Sequence, residues 1–329
     1  MTTVSVIGGG AWGTALAAVL ATGGRSVRLW ARETEVVAAI NRDAENRPFL
    51  PGIKLPPSVH AVGELAEAAA DLVFLVMPAQ HLRRVAGDLA PALPSGTPVV
   101  LCAKGMETES GLLLSQVLSD VLPAAPVAVL SGPTFAAEVA RGLPTAVTVA
   151  AADRALAERV AARVGQPHFR PYLSQDVVGV QIGGALKNII AIACGIVEGK
   201  GLGDNARAAL LTRGLAEIIR FGLALGGRRE TFMGLSGLGD LSLTCNSDAS
   251  RNMSLGIELG RGRPIEAIMA ERRSVAEGVK TASAVVLAAR QRDIDVPICT
   301  AVDGICNHWA DIDASIGNLL GRPIKDENG

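Results

Sequence analysis

A short apolar run that breaks at once into glycines opens this chain. Val4-Ser5-Val6-Ile7 leads into Gly8-Gly9-Gly10-Ala11-Trp12-Gly13, and Thr14 to Leu20 continues with the apolar face of a helix. Strand, G-x-G-x-x-G and helix, in that order, are what a dinucleotide-binding β-α unit requires. Gly8 allows the tight turn, Gly10 removes a Cβ where a pyrophosphate would approach, and Gly13 lets the helix lie close to the strand. The free N–H groups and the positive end of the helix dipole then favour an anion. Glycines also mark ordinary turns. The flanking strand and helix make nucleotide binding the expectation here.

The rest of the chain has two grammars. Up to about residue 173, apolar runs at Ser26–Trp30, Leu72–Met77, Pro98–Ala103, Val127–Leu130 and Ala146–Ala150 alternate with helical patterns such as Ala11–Thr22, Glu64–Ala69 and Arg154–Val164. His168–Leu173 can add a last strand. This alternation predicts parallel β-α-β units. From Ser174 onward the strand pattern stops, and Asp176–Val197, Asn205–Leu225, Asn252–Leu259, Val279–Arg290 and Ile298–Ala310 read as helices. The predicted fold class is an α/β Rossmann-type doubly wound sheet over residues 1–175, followed by an all-α domain over 176–329 for substrate and catalysis.

Composition excludes several functions. Aromatic residues are 3% of the chain and the net charge is −1, so neither stacking platforms nor a global field for nucleic acid is expected. The five cysteines are scattered without a C-x-x-C, and the four histidines lack metal-ligand spacing; reduced core thiols and no metal site are expected. Apolar stretches such as Ile189–Val197 fall short of the ~20 residues of a membrane span. A strand pattern from Val4 leaves no room for a signal peptide. The reading is cytoplasmic, without membrane insertion.

At the end of the second strand, where an acid usually meets the ribose of NAD, the sequence is Leu29-Trp30-Ala31-Arg32-Glu33. Arg32 can pair with a 2′-phosphate, which favours NADPH over NADH. Alternatively, Arg32 is a solvated cation paired with Glu33 or Glu35, and Glu33 reaches a ribose.

Four other segments place special residues beside glycine turns. Lys104 follows the Pro98–Ala103 strand, at the edge where open α/β sheets bind ligands. Ser131-Gly132-Pro133-Thr134-Phe135-Ala136 follows the next strand. Leu235-Ser236-Gly237-Leu238-Gly239-Asp240 reads as a flexible turn, with Thr244, Ser250, Arg251 and Asn252 shortly after it. Gly183-Gly184-Ala185-Leu186-Lys187-Asn188 sets a lysine and an amide inside an apolar helix. Lys187 must be paired, have a lowered pKa, or snorkel to water. Gly183 and Gly184 each cost about 1 kcal/mol relative to alanine, which suggests another backbone or a ligand close by. Asp240 could orient the lysine or cap a helix. Arg251 could grip a phosphate, or be a surface cation poorly placed at a helix start.

Taken in order, these segments resemble the bacterial NAD(P)-dependent glycerol-3-phosphate dehydrogenases over nearly the whole length. The resemblance rests on Gly8–Gly13, Asn46-Arg47-Pro48-Phe49-Leu50-Pro51-Gly52, Ala103-Lys104-Gly105, Leu130-Ser131-Gly132-Pro133-Thr134-Phe135-Ala136 and Gly142-Leu143-Pro144-Thr145-Ala146. It continues through Ala185-Leu186-Lys187-Asn188, Leu211-Thr212-Arg213-Gly214, Gly237-Leu238-Gly239-Asp240-Leu241, Ser250-Arg251-Asn252 and Val275-Ala276-Glu277-Gly278. It implies reduction of dihydroxyacetone phosphate to sn-glycerol 3-phosphate, feeding glycerophospholipid synthesis, and it admits a homodimer.

By the same resemblance Lys187 is the catalytic proton donor and acceptor. Lys104, Gly132, Thr134, Lys187, Asp240, Ser250, Arg251 and Asn252 hold the phosphorylated triose. Gly8, Gly10, Ala11, Trp12, Gly13, Arg32, Phe49, Lys104, Ala136, Arg251, Val275 and Glu277 hold NADP or NAD. Ala11 and Thr134 stand where the family often has serine; Thr134 keeps the hydroxyl, whereas Ala11 offers only its N–H. Two other readings remain: a dehydrogenase of a hydroxy acid such as pantoate or hydroxyisobutyrate, and a nucleotide-sensing module that does not catalyse.

Overall fold

The computed structural model describes residues 3–272 and 276–324. The chain divides into two compact units, Met1–Ala103 with Leu114–Val177, and Lys104–Leu113 with Val178–Gly329. The excursion Lys104–Leu113, flanked by first-unit sequence on both sides, groups with the second.

In the first unit eight strands form one sheet: β1 (Val4–Ile7), β2 (Val27–Trp30), β3 (Val59–Val62), β4 (Leu72–Leu75), β5 (Val99–Leu101), β6 (Val127–Ser131), β7 (Thr145–Ala151) and β8 (Phe169–Ser174). Their order is β3-β2-β1-β4-β5-β6-β7-β8, and it changes direction between β1 and β4. That switch point is where such sheets bind ligands. Every residue of β1 is buried, as a central strand covered on both faces demands. The helices are α1 (Ala11–Leu20), α2 (Thr34–Asp43), α3 (Leu82–Leu89), α4 (Leu114–Val121), α5 (Ala136–Ala140) and α6 (Arg154–Val164).

The sheet departs from the all-parallel expectation at one ladder. β7 runs antiparallel to β6, and β8 then runs parallel to β7. An apolar run does not encode strand direction, so the sequence pattern could not distinguish the two. β3 went unpredicted, although its alternation, with Val59 and Ala61 inward and His60 outward, matches that of β2.

The second unit contains α7 (Val177–Gly199), α8 (Asp204–Ala224), α9 (Arg229–Phe232), α10 (Asp240–Cys245), α11 (Arg251–Gly260), α12 (Ile265–Glu271), α13 (Glu277–Arg290), α14 (Pro297–His308) and α15 (Ile312–Leu320). α7 corrects the estimate of apolar length, because at 23 residues it is long and apolar enough to cross a bilayer. All of its apolar window is buried inside the protein, as befits a core helix. Ile182, Leu186, Ile189, Ile190 and Ile196 pack into one cluster with Phe221, Leu241, Leu255 and Val285.

A seam of glycines joins α7 to α11. A Cβ on Gly195 would strike the Met253 carbonyl, and one on Gly199 the Ile257 carbonyl. From the other side, Gly256 faces the Ile192 carbonyl and Gly260 that of Ile196. Both helices present glycines four residues apart, so their backbones meet directly.

A second close approach explains Gly183. A Cβ there would collide with the Ser236 carbonyl, in the segment expected to be a flexible turn. Instead Leu235–Gly239 forms a π-helical turn with Ser236 and Gly237 buried. It leads directly into Asp240.

Candidate functional site

The central feature of the second unit is a carboxylate shared by two lysines. Asp240 begins α10 and is fully buried, while Lys187, midway along α7, is 7% exposed. The Lys187 Nζ donates to Asp240 Oδ1 at 2.5 Å and to Thr244 Oγ1 at 2.9 Å. Thr244 Oγ1 in turn donates to the Asp240 carbonyl at 2.6 Å, one helical turn back. Lys104 Nζ donates to the other carboxylate oxygen, Oδ2, at 2.7 Å. Lys187 is therefore buried and paired. Snorkelling is excluded.

Charge and burial oppose each other at this cluster. Burial lowers the Lys187 ammonium to about 8 from an ordinary 10.5, Asp240 pulls it up, and the positive charge of Lys104 pushes it down. With both lysines protonated, two cations face one anion. Such a cluster favours a nearby oxygen that gains negative charge.

Beside it, across the glycine seam, stands the first turn of α11. Ser250 caps the helix, its hydroxyl accepting from Met253 N at 3.2 Å. Arg251 follows, exposed, at the positive end of the helix dipole, where an anion would improve its energy. Asn252 is 7% exposed; its Nδ2 donates to Asn188 Oδ1 at 2.9 Å and its Oδ1 accepts from Gly278 N at 3.0 Å. Asn252 on α11 thus ties the amide next to Lys187 on α7 to the start of α13. One Asn252 amide hydrogen and one lone pair are left over from these two bonds.

In the first unit, the glycine turn has the form that its spacing predicts. Gly8 has φ of +131°, and a Cβ on it would strike the Val76 carbonyl; one on Gly13 would strike the Gly8 carbonyl. Gly10, the N-cap of α1, faces open space and makes no side-chain cap. The free N–H groups of the first turn and the absent Cβ suit the pyrophosphate of a dinucleotide, so the cradle fits NAD(P). Asn46, fully buried, holds the Asn46–Gly52 segment to this turn: Nδ2 donates to Gly9 O and Thr14 Oγ1, both at 2.7 Å, and Oδ1 accepts from Phe49 N at 3.3 Å. That lock sets half-buried Phe49 near the turn.

Gly132 follows β6 with φ of +146°, and a Cβ on it would come within 3.0 Å of Val147 Cα. Thr134 Oγ1 donates to Gly132 O at 3.3 Å, and Ala136 opens α5, which packs against α1. Arg32 leaves the end of β2 with its side chain 67% exposed and pairs with Glu33 at 2.8 Å. Glu277 is the first residue of α13. Val275 lies outside the described residues.

Sequence reasoning gave Thr244 and Asn46 no role. Thr244 had a signal, its i,i+4 spacing from Asp240 on a short helix. Asn46 had none beyond the motif that contains it, since the partners it locks are more than thirty residues away.

Comparison with known proteins agrees along the chain. The family model described as NAD-dependent glycerol-3-phosphate dehydrogenase N-terminus matches residues 3–157, and the corresponding C-terminus model matches 176–316. The glycerol-3-phosphate dehydrogenase [NAD(P)+] of Rhodospirillum rubrum is 58% identical over 328 residues, covering 99% of this chain and 94% of that protein. The enzyme of the same description from Parvibaculum lavamentivorans is 57% identical over 325 residues, 98% of each. The crystal structure of glycerol-3-phosphate dehydrogenase from Coxiella burnetii superposes with a TM-score of 0.94 at 36% identity, covering 98% of this chain and 99% of that one.

Proposed function

Since this chain belongs to the NAD-dependent glycerol-3-phosphate dehydrogenase family and interconverts dihydroxyacetone phosphate and glycerol 3-phosphate with NAD(P)H, we propose that Lys187 is its proton donor and acceptor. The observation that carries this reading is the buried Lys187–Asp240–Lys104 cluster.

When bound, the nicotinamide supplies the hydride that the substrate carbonyl carbon receives. Lys187, as an ammonium, stabilises the carbonyl oxygen as it gains charge and gives it the proton that completes the alcohol. In the reverse direction the neutral amine takes that proton back. Asp240 holds both lysines through separate oxygens, Thr244 fixes a second direction of the Lys187 head, and Lys104 adds a further positive charge at the substrate.

Arg251, with Ser250 and Asn252, grips the phosphate by charge-assisted bonds, and Gly132 and Thr134 complete the substrate contacts. Gly8, Gly10, Ala11, Trp12, Gly13, Phe49, Ala136 and Glu277 hold the cofactor, together with Lys104 and Arg251. Arg32 exchanges its Glu33 partner for a 2′-phosphate, which makes NADPH the preferred reductant. The reading extends to a cytoplasmic enzyme, supported by the burial of the α7 apolar window.

Replacing Lys187 by methionine keeps the stem and removes both charge and proton. Single-turnover NADPH oxidation with dihydroxyacetone phosphate should slow by ~10²–10⁴-fold. NADPH affinity should stay within a few-fold. Near-normal turnover in this variant overturns the assignment.

A further inference from the structure

Arg272 follows the last residue of α12 and reaches the first turn of α11. Its guanidinium donates to the Arg251 carbonyl at 2.8 Å and to the Ser254 hydroxyl at 3.1 Å. Ser254 Oγ in turn donates to the same carbonyl at 3.3 Å. Helical geometry already offers that carbonyl the amide of Leu255, so satisfying the backbone does not require a second donor. What the second donor does is fix the peptide from which the Arg251 side chain departs.

The neighbouring restraints act elsewhere on this turn. Ser250 caps Met253, and Asn252 is tied to Asn188 and Gly278. Arg272, together with the Ser254 hydroxyl it engages, supplies the hold on the Arg251 peptide itself. Charge points the same way: burial lowers Arg272 from the ordinary arginine value, the positive charges of Arg263 and Arg251 add to this, and Glu258 opposes it. An anion drawn to Arg251 relieves part of that repulsion.

We infer that Arg272 is a positioning residue for the substrate phosphate: by holding the Arg251 carbonyl and the Ser254 hydroxyl, it sets the direction in which the Arg251 guanidinium leaves α11. The inference rests on the reading of Arg251 as the phosphate grip. It assigns a task to a residue just past the end of α12 that acts through Arg251.

The test is a double-mutant cycle in the full-length enzyme, read as KM and kcat with dihydroxyacetone phosphate and with unphosphorylated dihydroxyacetone. Arg251→Ala alone should lose activity on the phosphorylated substrate far more than on the other; equal losses remove the Arg251 reading, and the inference with it. Given that loss, Arg272→Ala should raise KM for dihydroxyacetone phosphate by ~10-fold with kcat within ~2-fold, and should leave dihydroxyacetone kinetics unchanged. Added to Arg251→Ala, it should cost less than ~2-fold more, because the two residues act as one unit.

Full multiplication of the two effects, or an equal loss on both substrates, overturns the role for Arg272 while leaving Arg251 in place. Ser254→Ala removes one of the two anchors without touching any charge and should raise the same KM by ~3-fold. If Arg272→Ala does not fold, Ser254→Ala decides: an unchanged KM overturns the inference.

Discussion

Lys187 and Asp240 lie 53 residues apart in the chain, and their ammonium and carboxylate meet at 2.5 Å in the interior of the helical unit. A lysine buried to 7% exposure with a single carboxylate partner already engaged by Lys104 is an unusual acid. Its proton is loosened by burial and by a like charge, and retained by one anion. That balance brings it into the range where it can both give and take.

The first consequence is a mirrored pH dependence. Lys187 is lowered to about 8, so kcat/KM for dihydroxyacetone phosphate reduction should fall as pH rises through that value, and glycerol 3-phosphate oxidation should rise through it. Rate profiles in both directions check this, and a common limb absent from both would contradict it. The stability sign is also fixed: between about 8 and 10.5 the unfolded chain binds the proton that the folded one has released, so this lysine makes stability increase with pH there.

Arg32 should report on cofactor choice. Breaking its pair with Glu33 costs little, because the pair is exposed. Arg32→Ala should therefore weaken NADPH more than NADH, by about 1–3 kcal/mol for a charge-assisted contact. Equal shifts in the two dissociation constants, measured by fluorescence titration, would show that Arg32 does not read the 2′-phosphate.

The glycine seam should resist even one added carbon. In Gly256→Ala the new methyl would meet the Ile192 carbonyl, a backbone atom that cannot rotate away. Overpacking of this kind costs about 1–3 kcal/mol, visible as a lower urea midpoint. KM for dihydroxyacetone phosphate should rise as well, since α11 carries Arg251. An unperturbed midpoint would mean that the helices separate freely.

Glu217 supplies a prediction away from the chemistry. On α8, 1% exposed, it accepts from Ile298 N at 2.9 Å and Cys299 N at 2.8 Å, satisfying the start of α14. Burial raises its pKa, outweighing those bonds. A raised carboxyl contributes stability below the ordinary glutamate range, and that contribution is lost as pH rises through its folded value. Glu217→Gln turns a donor towards one of the two N–H groups and should cost about 1–3 kcal/mol in chemical unfolding. It should also flatten this part of the pH dependence; an unchanged slope would refute the linkage.

Local chemistry made much of this legible in the sequence. The glycine turn was readable because strand, turn and helix are contiguous, and α6 because Arg154–Val164 is an uninterrupted helical pattern. Lys187 stood out because a charge in an apolar helix must be resolved somehow. What resolves it was hidden: Asp240 and Lys104 come from distant segments, and nothing in Lys104–Leu113 shows that it groups with the helical unit. Leu235–Gly239 looked flexible because three small residues suggest freedom; here Gly237 is small because Phe232 leaves no room for more. Direction in β7 and tightness in that turn are properties of partners, which a one-dimensional pattern does not carry.

The seam between α7 and α11 has a further consequence. Helices that meet main chain to main chain cannot slide by exchanging rotamers, so the spacing of Lys187 and the first turn of α11 is set first by peptide geometry, with the Asn188–Asn252 bond beside it. On the proposed roles of Lys187 and Arg251, the interval between them works as a ruler cut into the backbone. Side-chain replacements around it can retune charge or affinity and leave the calibration of length untouched; a phosphorylated ketone of another span would need a different pair of helices.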